Sequence, residues 1–488
     1  MKTLTIIGAG ISGLVAGVYA CRSGWRTVIL EKAGNPGGVS TSWKRRGYTF
    51  EGGIHWLIGA RPGVPLNDIW TETGALQDNN PVFFKDPVYS LVDGSVRMNL
   101  HRDLRTLKAE SPRDRFFLAL LRFHVWCFTF FHTPVQDIPG LRVRHPRSFS
   151  ITEFVKMGPA VLLTPFLMMF SARKYISRFR DRNLRNLLEA VVDPDINALS
   201  LIYTLSSFAG GDSGYPEGGS LKMARNMADT FTSLGGEIRY RTPALKLRSC
   251  EDGGVAVQTE DGEIRSDAVL ISADARTAID TLFESPLQDR WARRMRSRLL
   301  TAQCMFLALG VKADLSAYPR CMKIMLRRPL EVGGISYDSM TVNNYSRDAG
   351  YAPEGCTAVT AILPGRSYHY WQAARGNGSY ASLKQEALER FIEALGEAVP
   401  EIKGNVEVTD MATPLTYERY CGTFEGSYMS DWLPGRLACN APMRYKPGIY
   451  FTGQRTAFSG GLPVAAETGR RCVQKLCKDY GTEFVSRS

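Results

Sequence analysis

The sequence predicts an α/β fold, and the order of the elements in its first 31 residues is the reason. An apolar, β-rich run at residues 4–7 breaks into the glycine pattern Gly8-x-Gly10-x-x-Gly13. A stretch of helical composition follows, and a second strand-like run then ends at Glu31. Strand, glycine turn, helix, strand and acid in this order are typical of a dinucleotide-binding unit on a parallel sheet. The chain is therefore predicted to open with a Rossmann-type domain.

The three glycines have separate mechanical roles in such a unit. Gly8 permits the tight turn, Gly10 lets the backbone approach a pyrophosphate, and Gly13 lets the helix pack closely on the strand. Ile11 and Ser12 open the helix, where free N–H groups and the positive end of the helix dipole attract phosphate. The alternative is an α/β protein in which the glycines serve only a tight turn between strand and helix.

The residues expected to bind the ribose of the dinucleotide lie at the end of the second strand. Glu31 lies about 20 residues beyond the glycines, the separation at which an acid accepts ribose hydroxyls, and Lys32 is assigned to the same site. A carboxylate here would repel a 2′-phosphate, so NADP is not expected. The following loop contains Gly37-Gly38, which either lets the backbone approach a cofactor or belongs to an ordinary surface loop.

Composition and charge set the outer limits of the function. The 488 residues suffice for roughly two or three domains, and the net charge of +12 admits an anionic surface or substrate as a partner. The ten cysteines form no CxxC pair, which fits reduced, mostly structural thiols. Met1-Lys2 leads straight into the first strand and no apolar run is long enough to span a bilayer, so we expect a cytoplasmic protein without a signal peptide.

A second glycine pair closes the motif Phe50-Glu-Gly-Gly53. Together, the opening fingerprint, the Gly37-Gly38 loop and this motif resemble the FAD-dependent phytoene desaturase family. That family also contains carotenoid cis–trans isomerases and retinol saturases, and it belongs to the amine-oxidase-like flavoproteins. The resemblance implies FAD as the cofactor, with Gly53 beside it. Many members carry arginine directly after the first glycine pair, where this chain has Val39, and this departure argues against an amine-oxidase type of site.

Two further segments extend the resemblance to the rest of the cofactor site. Residues 215–220 and 234–274 are similar to the family's "YPxGG … LGGEI … DG … ADAV" block, in which a backbone group near Ala244 would hold the adenine. Near the C-terminus, a strand ends in glycine and a second glycine-rich turn leads into a helix. In the family this closing motif lies along the flavin, and it selects FAD over NAD. The residues assigned to the cofactor on this basis are Gly453, Gly461, Leu462 and Pro463.

The middle of the chain is apolar and basic. Residues 116–131 and 161–170 are crowded with aromatic side chains, and residues 102–185 hold sixteen Lys and Arg against six Asp and Glu. Pro159 and Pro165 are expected to bound and break the second aromatic segment. Such a region fits either a helical cap on an anionic membrane face or a substrate domain that buries its apolar helix sides. Nucleic acid is not an expected partner, because no nucleic-acid motif accompanies the charge.

Four residues are candidates for the chemistry. His55 is one, since an unperturbed imidazole titrates near pH ~6.5, although a lone histidine is more often packed scaffold. Residues 413–422 match the family's "TPxTxERYTG" stretch, which places Tyr417, Glu418 and Arg419 nearest the expected substrate mouth. Glu418 and Arg419 would alternatively form a local ion pair. No Ser-His-Asp order, metal-ligand cluster or phosphate-binding loop competes with this reading.

The predicted architecture is a Rossmann-type FAD-binding domain with a discontinuous α+β substrate domain. Three FAD-binding parts, at residues 1–105, 212–300 and 435–488, alternate with two parts of the substrate domain. The first of these, at residues 106–211, is helical and basic, and the second is at residues 301–434. Both domains are therefore expected to be assembled from segments far apart in the chain.

The expected function is desaturation or saturation of an apolar, carotenoid-like or other isoprenoid lipid by hydride transfer with the flavin. A cis–trans isomerase that uses reduced FAD is the alternative, and an amine oxidase and a non-catalytic prenyl-lipid binding protein are two others. There is no second GxGxxG for NAD(P)H, so electrons are expected to leave the flavin to oxygen, a quinone or a soluble carrier.

Overall fold

A computed structural model describes residues 1–104, 107, 112–131, 135–147, 151–251, 253–436, 438–457 and 460–487, without the side chains of residues 151–154. The strands are β1 (Thr3–Ile7), β2 (Arg26–Leu30), β3 (Ser42–Arg45), β4 (Tyr48–Glu51), β5 (Leu57–Ile58), β6 (Val82–Phe83), β7 (Tyr89–Asp93), β8 (Val96–Leu100), β9 (Val143–Arg144), β10 (Ser213–Pro216), β11 (Glu237–Arg239), β12 (Lys246–Ser249), β13 (Val255–Thr259), β14 (Gly262–Ser266), β15 (Ala268–Ile271), β16 (Thr301–Ala302), β17 (Cys304–Val311), β18 (Cys321–Val332), β19 (Ile335–Asn344), β20 (Thr357–Pro364), β21 (Val406–Ala412), β22 (Met429–Ser430), β23 (Arg444–Lys446), β24 (Ile449–Phe451) and β25 (Phe484–Val485). The helices are α1 (Ile11–Arg22), α2 (Pro65–Glu72), α3 (Arg115–Phe128), α4 (Ile151–Met168), α5 (Ala172–Ile176), α6 (Arg182–Leu188), α7 (Ala198–Ala209), α8 (Gly219–Ser233), α9 (Ala275–Thr281), α10 (Arg290–Arg298), α11 (Tyr368–Gly376), α12 (Tyr380–Ala398), α13 (Pro414–Cys421) and α14 (Gly461–Tyr480).

The first large sheet has six strands in the order β11-β2-β1-β15-β24-β23. Neighbouring strands pair in parallel, except that β23 is antiparallel to β24. These strands come from the beginning, middle and end of the chain, so the sheet is assembled from three distant segments. The predicted α/β class is confirmed, whereas the domain boundaries proposed above stay a prediction.

Helices α1, α8 and α14 pack closely around β1 because glycines remove the intervening side chains. A Cβ atom on Gly17 would lie 2.9 Å from the ring of Phe231 on α8. A Cβ atom on Gly469 of α14 would lie 2.6 Å from the carbonyl oxygen of Ser12 on α1. Buried apolar side chains of the three helices and the sheet form one continuous core around these contacts, which fixes α1 behind the glycine turn.

The second large sheet has seven strands in the order β21-β17-β20-β19-β18-β7-β8. Its neighbours are antiparallel, except for the parallel pair β18 and β7. Side chains on one face, such as Met322 and Ile324, are buried with Trp371 of α11 and Phe391 of α12. Because side chains alternate along a strand, the residues between them point to the opposite face, which lines the cavity described below.

A helical region, α3 to α7, packs against the end of this sheet at β7 and β8. The expectation that Pro159 and Pro165 break the second aromatic segment is wrong, because α4 continues through both. Ala160 and Leu167 on the inner side of α4 are fully buried against this region. Packing of that side outweighs the backbone hydrogen bonds that the two prolines remove.

Small sheets of two or three strands complete the fold. Strands β12, β13 and β14 form an antiparallel meander, as expected from their alternating residue patterns and from the Asp-Gly pairs at 252–253 and 261–262 of the sequence, which are typical of hairpin turns. Other small sheets pair β5, β10 and β6, then β3 with β4, β16 with β22, and, in parallel, β9 with β25. No helix in the described part of the chain combines the length and the apolar character needed to cross a bilayer.

Candidate active site

A cavity of about 2010 Å³ is lined by residues of both large sheets and of the helical region. Its proximal part lies against the glycine turn after β1, and its distal part lies between the seven-stranded sheet and the segment from α6 to α7. Pockets for drug-sized ligands occupy about 300–1,000 Å³. This cavity therefore has room for two such molecules side by side.

The proximal part is built where three adjacent parallel strands end. Strands β1, β15 and β24 are neighbours in the sheet, and their carboxyl ends lead into Gly8, Ser272 and Gly453, which all line the cavity. The hydroxyls of Ser12 and Ser272 are 2.7 Å apart, and Gly453 donates its N–H to the Thr468 hydroxyl at 3.1 Å. Open α/β sheets bind their ligands at this edge.

In the first glycine turn, backbone conformation and packing require glycine at Gly8 and Gly13. Neither requires glycine at Gly10. Gly8 has φ +103°, and a Cβ on Gly13 would lie 2.1 Å from the Gly8 carbonyl oxygen. Gly10 has an ordinary φ of −68°, and a Cβ there would have no described protein atom within 4 Å. Its open side faces the cavity, which fits close approach by a ligand.

Glu31 is buried at the end of β2 and lines the cavity. Its two carboxylate oxygens accept the N–H groups of Ala9, at 2.7 Å, and Ala33, at 2.8 Å. Burial raises the pKa of Glu31, and these two backbone hydrogen bonds act in the opposite direction. A carboxylate oxygen accepts more than one hydrogen bond, so Glu31 keeps acceptor capacity for a sugar hydroxyl.

The second glycine loop lies directly on the first. Gly37 donates its N–H to the Ala9 carbonyl at 2.9 Å, and a Cβ on Gly38 would lie 3.5 Å from the Cα of Gly10. Gly37 and Gly38 have φ values of +111° and +61°, which favour glycine. The two loops therefore form one wall of the proximal part.

Glu51, which was not among the predicted site residues, organises a third segment of backbone. It is fully buried and accepts the N–H groups of Gly53, at 2.8 Å, and Ile54, at 3.1 Å. It also accepts the N–H of Ser220 at 2.9 Å, at the start of α8. Burial raises the pKa of Glu51, while the hydrogen bonds from Ser220 lower it. An acid directly before the pair Gly52-Gly53 is the sequence signal that points to it.

A buried ion pair joins the middle and C-terminal segments beside the cavity. Asp274 follows β15 and Arg455 follows β24, and both side chains are 2% exposed. The Arg455 guanidinium donates to Asp274 at 2.7 and 2.9 Å and to the Ser427 hydroxyl at 2.7 Å. Asp274 also accepts the N–H of Arg276 at 2.8 Å and so caps α9. Neither residue was predicted, because the pairing spans 181 positions of sequence.

The predicted cofactor residues are gathered at this proximal part. Gly13 lies beneath the turn rather than on the wall, because its missing Cβ is what admits the Gly8 carbonyl. The lining residues among those predicted are Gly8, Gly10, Ile11, Ser12, Glu31, Lys32, Gly37, Gly38, Gly53, Ala244, Gly453, Gly461, Leu462 and Pro463. Their contacts with the cofactor stay a prediction.

Several buried polar atoms of cavity-lining residues lack a hydrogen-bond partner in the described part of the protein. Buried polar groups in folded proteins are almost always bonded, so these atoms fit a ligand rich in hydrogen-bonding groups. The residues are Ser40, His55, Thr423, Thr452 and Gln454, through Oγ, Nε2, Oγ1, Oγ1 and Oε1 respectively. Together with the open side of Gly10, they fit a dinucleotide.

Two of the four predicted catalytic residues line the cavity. His55 is half-buried there, and Asn343 Nδ2 lies 3.4 Å from its Nδ1. Burial, followed by repulsion from Lys85, lowers the pKa of His55 to about 4, so the imidazole is neutral at physiological pH. Tyr417 is also buried, and burial, reinforced by Cys304, raises its pKa far above the ordinary value. Both side chains are therefore uncharged hydrogen-bonding groups.

The other two, Glu418 and Arg419, do not lie on the cavity wall. Residues 416, 417, 420 and 421 of α13 line the cavity, so positions 418 and 419 fall on the opposite side of this helix. Glu418 accepts a hydrogen bond from the Tyr368 phenol at 2.9 Å, and the Arg419 guanidinium lies 5.3 Å from the centre of the Tyr420 ring. Their placement does not favour a catalytic role.

Three chain segments converge on the carboxyl edge of a parallel sheet, beside a cavity with room for two ligands. This arrangement is typical of an enzyme that uses a dinucleotide cofactor. The chain belongs to the family described as flavin containing amine oxidoreductase, whose sequence pattern matches residues 11–477. It is therefore a FAD-dependent oxidoreductase, as the opening motifs predicted. The residues present fit this cofactor.

Curated relatives and solved structures extend the comparison. The chain is 24% identical to the chloroplastic prolycopene isomerase of Arabidopsis thaliana, over 99% of this chain and 84% of the relative. It is 25% identical to the lycopene-forming phytoene desaturase of Pseudescherichia vulneris, over 75% of this chain and 76% of the relative. Cyclohexylamine oxidase from Brevibacterium oxydans superposes with a TM-score of 0.62 at 15% identity, covering 98% and 99% of the two chains. The last comparison shows a shared fold.

Proposed function

We propose that the protein desaturates or saturates carbon–carbon bonds of an apolar isoprenoid, such as a carotenoid, by hydride transfer with FAD. The observation that carries the proposal is the distal part of the cavity, which continues from the dinucleotide end and has apolar and aromatic side chains on its wall. Examples from this wall are Trp56, Phe131, Leu199, Tyr203, Met325 and Tyr337. The relatives whose names specify phytoene and prolycopene support the same substrate class.

FAD, when bound, supplies the hydride chemistry. The protein's own residues would hold the two ligands: the N-terminus of α1 would bind the phosphates, Glu31 the ribose, and the distal wall the isoprenoid chain. His55 and Tyr417 add hydrogen-bonding capacity without charge, because both stay neutral at physiological pH. Uncharged side chains at these two positions suit a polyene, since an ionised group would lose its hydration beside a hydrocarbon.

Anaerobic mixing of the FAD-loaded protein with phytoene tests the proposal. We expect the visible flavin band to bleach and a more unsaturated product to appear in equal amount, because each desaturation delivers one hydride to the cofactor. Reduced protein mixed with the more unsaturated polyene should show the reverse change if saturation is the favoured direction. Absence of both changes, together with no shift of any isoprenoid's double bonds, would contradict the proposal.

Cis–trans isomerisation is the second candidate, and the extent of the comparisons favours it. The prolycopene isomerase match spans 99% of this chain, whereas the phytoene desaturase match spans 75%. An isomerase would convert prolycopene only with reduced FAD, leaving the cofactor reduced at the end. Chromatography of the polyene before and after mixing distinguishes a changed isomer ratio from a changed number of double bonds.

We also propose that an exposed apolar patch on α3 and α4 docks on an anionic membrane. Exposed apolar surfaces of this kind mark interaction sites, and the patch lies among the exposed cations Arg115, Arg122 and Lys156. Lys156 Nζ lies 5.8 Å from the centre of the Phe130 ring. The members of the patch are Phe116, Phe123, Trp126, Phe130, Val155, Val161, Leu162, Phe166 and Met169, with Leu162 at 81% and Phe116 at 74% exposure.

Replacing Trp126 and Leu162 together by glutamate should weaken binding to phosphatidylserine-containing vesicles at least tenfold. Each side chain contributes about 1.5–3 kcal/mol when buried in an apolar phase, and the new carboxylates are repelled by anionic lipid. Vesicle sedimentation measures the effect. Leu234→Glu is the matched control, since Leu234 is 36% exposed and lies at the end of α8. Equal sedimentation of the double variant and the wild type would contradict membrane docking through this patch.

A further inference from the structure

His55 lies where the two parts of the cavity meet. A Cβ on Gly53 would lie 2.9 Å from the Cα of Ser40 in the second glycine loop, so Gly53 belongs to the proximal part. Trp56, three residues later, belongs to the distal wall. Between them, the His55 imidazole lines the cavity, and its Nε2 is buried without a hydrogen-bond partner in the part of the chain that the structure describes. A ligand group at this junction would complete its hydrogen bonding.

The neighbouring Asn343 determines which nitrogen of this imidazole carries the proton. Asn343 is buried on β19, and its Nδ2, which only donates, lies 3.4 Å from His55 Nδ1. Because Nδ1 accepts in this arrangement of the amide, a neutral imidazole carries its proton on Nε2. The Nε2 group is therefore an N–H donor, and the ligand atom that it meets must be an acceptor.

A second neighbour, Lys85, opposes a positive charge on His55. Its Nζ donates to the His55 carbonyl oxygen at 3.2 Å and lies 4.6 Å from the centre of the Tyr215 ring. Lys85, Asn343 and His55 also line one small side cavity of about 20 Å³. Protonation of the imidazole would bring a second cation into this confined space, so repulsion adds to burial in lowering the pKa of His55.

The other ionisable groups around the side cavity do not reverse this effect. Burial lowers the pKa of Lys85, while the carboxylates of Asp348 and Glu51 raise it and so favour its charged form. Asp348 is itself paired with Arg320. The thiol and the phenols of the wall have pKa values raised by burial and are uncharged at physiological pH; they are Cys321, Tyr89 and Tyr215. Among the described residues, the charge that acts on His55 is thus the Lys85 ammonium.

We propose that His55 donates its Nε2–H to bound FAD, and that Asn343 and Lys85 are the positioning residues that keep it a neutral donor. FAD has carbonyl oxygens and ring nitrogens that accept hydrogen bonds, whereas a polyene hydrocarbon has no acceptor. The choice of FAD over the second ligand therefore rests on the proposed function. A neutral donor holds the cofactor at the junction without adding a charge beside the hydrocarbon.

Titration of the apoprotein with FAD, followed by flavin fluorescence, tests the donor. We expect His55→Leu to weaken FAD binding about fivefold, the size of one hydrogen bond, and His55→Gln to keep most of the affinity, because its amide still donates. His369→Leu is the matched control, since the His369 side chain is 81% exposed. An unchanged FAD affinity in the His55→Leu variant would overturn the proposal.

Nitrogen-15 NMR of the FAD-loaded protein, labelled at histidine, tests the two positioning residues. The chain has six histidines, so the signal that His55→Gln lacks identifies His55. We expect wild-type His55 to carry its proton on Nε2 and to stay neutral down to about pH 5, because its pKa is lowered to about 4. Lys85→Met should raise this pKa by about 0.5 or more, and Asn343→Leu should admit the Nδ1-protonated form. Lys312→Met, at a side chain that is 72% exposed, should change neither.

Neither measurement uses an isoprenoid, so this inference and the proposed function fail separately. A proton on Nδ1 of wild-type His55, or its titration near the ordinary pH of ~6.5, would overturn the inference and leave the proposed function standing. A protein that changes no isoprenoid would overturn the proposed function, whereas weaker FAD binding by His55→Leu would still support the donor. If His55→Leu does not fold, the wild-type tautomer and the Lys85→Met titration provide the decision, and an unshifted pKa in Lys85→Met would count against the proposal.

Discussion

We expect the Gly10→Val variant to be purified without bound FAD. The Cβ position of Gly10 has no described protein atom within 4 Å and lies in the cavity, so the two added methyl groups would occupy the space of the pyrophosphate. Steric conflict and lost hydrogen bonds together should weaken FAD binding by about 3 kcal/mol or more, roughly a hundredfold. Titration of the apoprotein with FAD, followed by flavin fluorescence, measures the change.

The loss should be specific for the cofactor, because Gly10 has an ordinary φ of −68° that valine also adopts. The apoprotein of the variant should therefore melt at the same temperature as the wild-type apoprotein. Gly376→Val is the matched control, since a Cβ on Gly376 would also have no described protein atom within 4 Å and Gly376 is exposed at the end of α11. A normal flavin content in the Gly10→Val variant would contradict the prediction that the pyrophosphate binds at the first glycine turn.

The second large effect is expected for Arg455→Met, which should lower the free energy of unfolding by about 3–5 kcal/mol. The substitution leaves the buried Asp274 carboxylate without its cation, and an unpaired buried charge has a cost of this size. The link between the segments after β15 and β24 is lost at the same time, so FAD retention should fall as well. Urea unfolding of the apoprotein and flavin content after gel filtration measure the two effects.

The double variant Asp274→Asn, Arg455→Met should recover more than half of the lost stability, because no unpaired charge then remains buried. Arg390→Leu serves as the control for loss of an arginine, since its pair with Glu386 is exposed on α12 and should contribute less than about 1 kcal/mol. An Arg455→Met protein as stable as the wild type would show that this ion pair does not hold the two segments together.

The elements predicted best from sequence are those whose signals are local. The strand, turn and helix around Gly8 and Gly13 follow from the conformations that glycine alone adopts and from the side chain it lacks. The meander at residues 246–266 follows from alternating strand patterns and Asp-Gly turns. The family, and with it FAD, followed from the combination of motifs at both ends of the chain.

The features that sequence reasoning missed depend on contacts between distant residues. Glu51 meets Ser220 across 169 positions, and the Asp274–Arg455 pair is likewise visible only after folding. Glu418 and Arg419 were assigned to the substrate mouth as neighbours of Tyr417, but a helix directs adjacent residues about 100° apart. Motif matching gives the position of a residue in the chain, whereas only the packing of α13 decides which side of it faces the cavity.

The three-segment assembly of the six-stranded sheet has a consequence for the order of events during synthesis. Strand β1 pairs with β15 some 260 residues later, and β15 in turn pairs with β24 at residues 449–451. Such long-range parallel pairing is slow to form, and until it does the backbone N–H and C=O groups on the β15 side of β1 remain unpaired. The sheet that begins with the first strand is therefore completed only after β24 has been synthesised. Capture of the flavin is consequently a late step, and a chain stopped before β24 would have a complete glycine fingerprint but no finished site to use it.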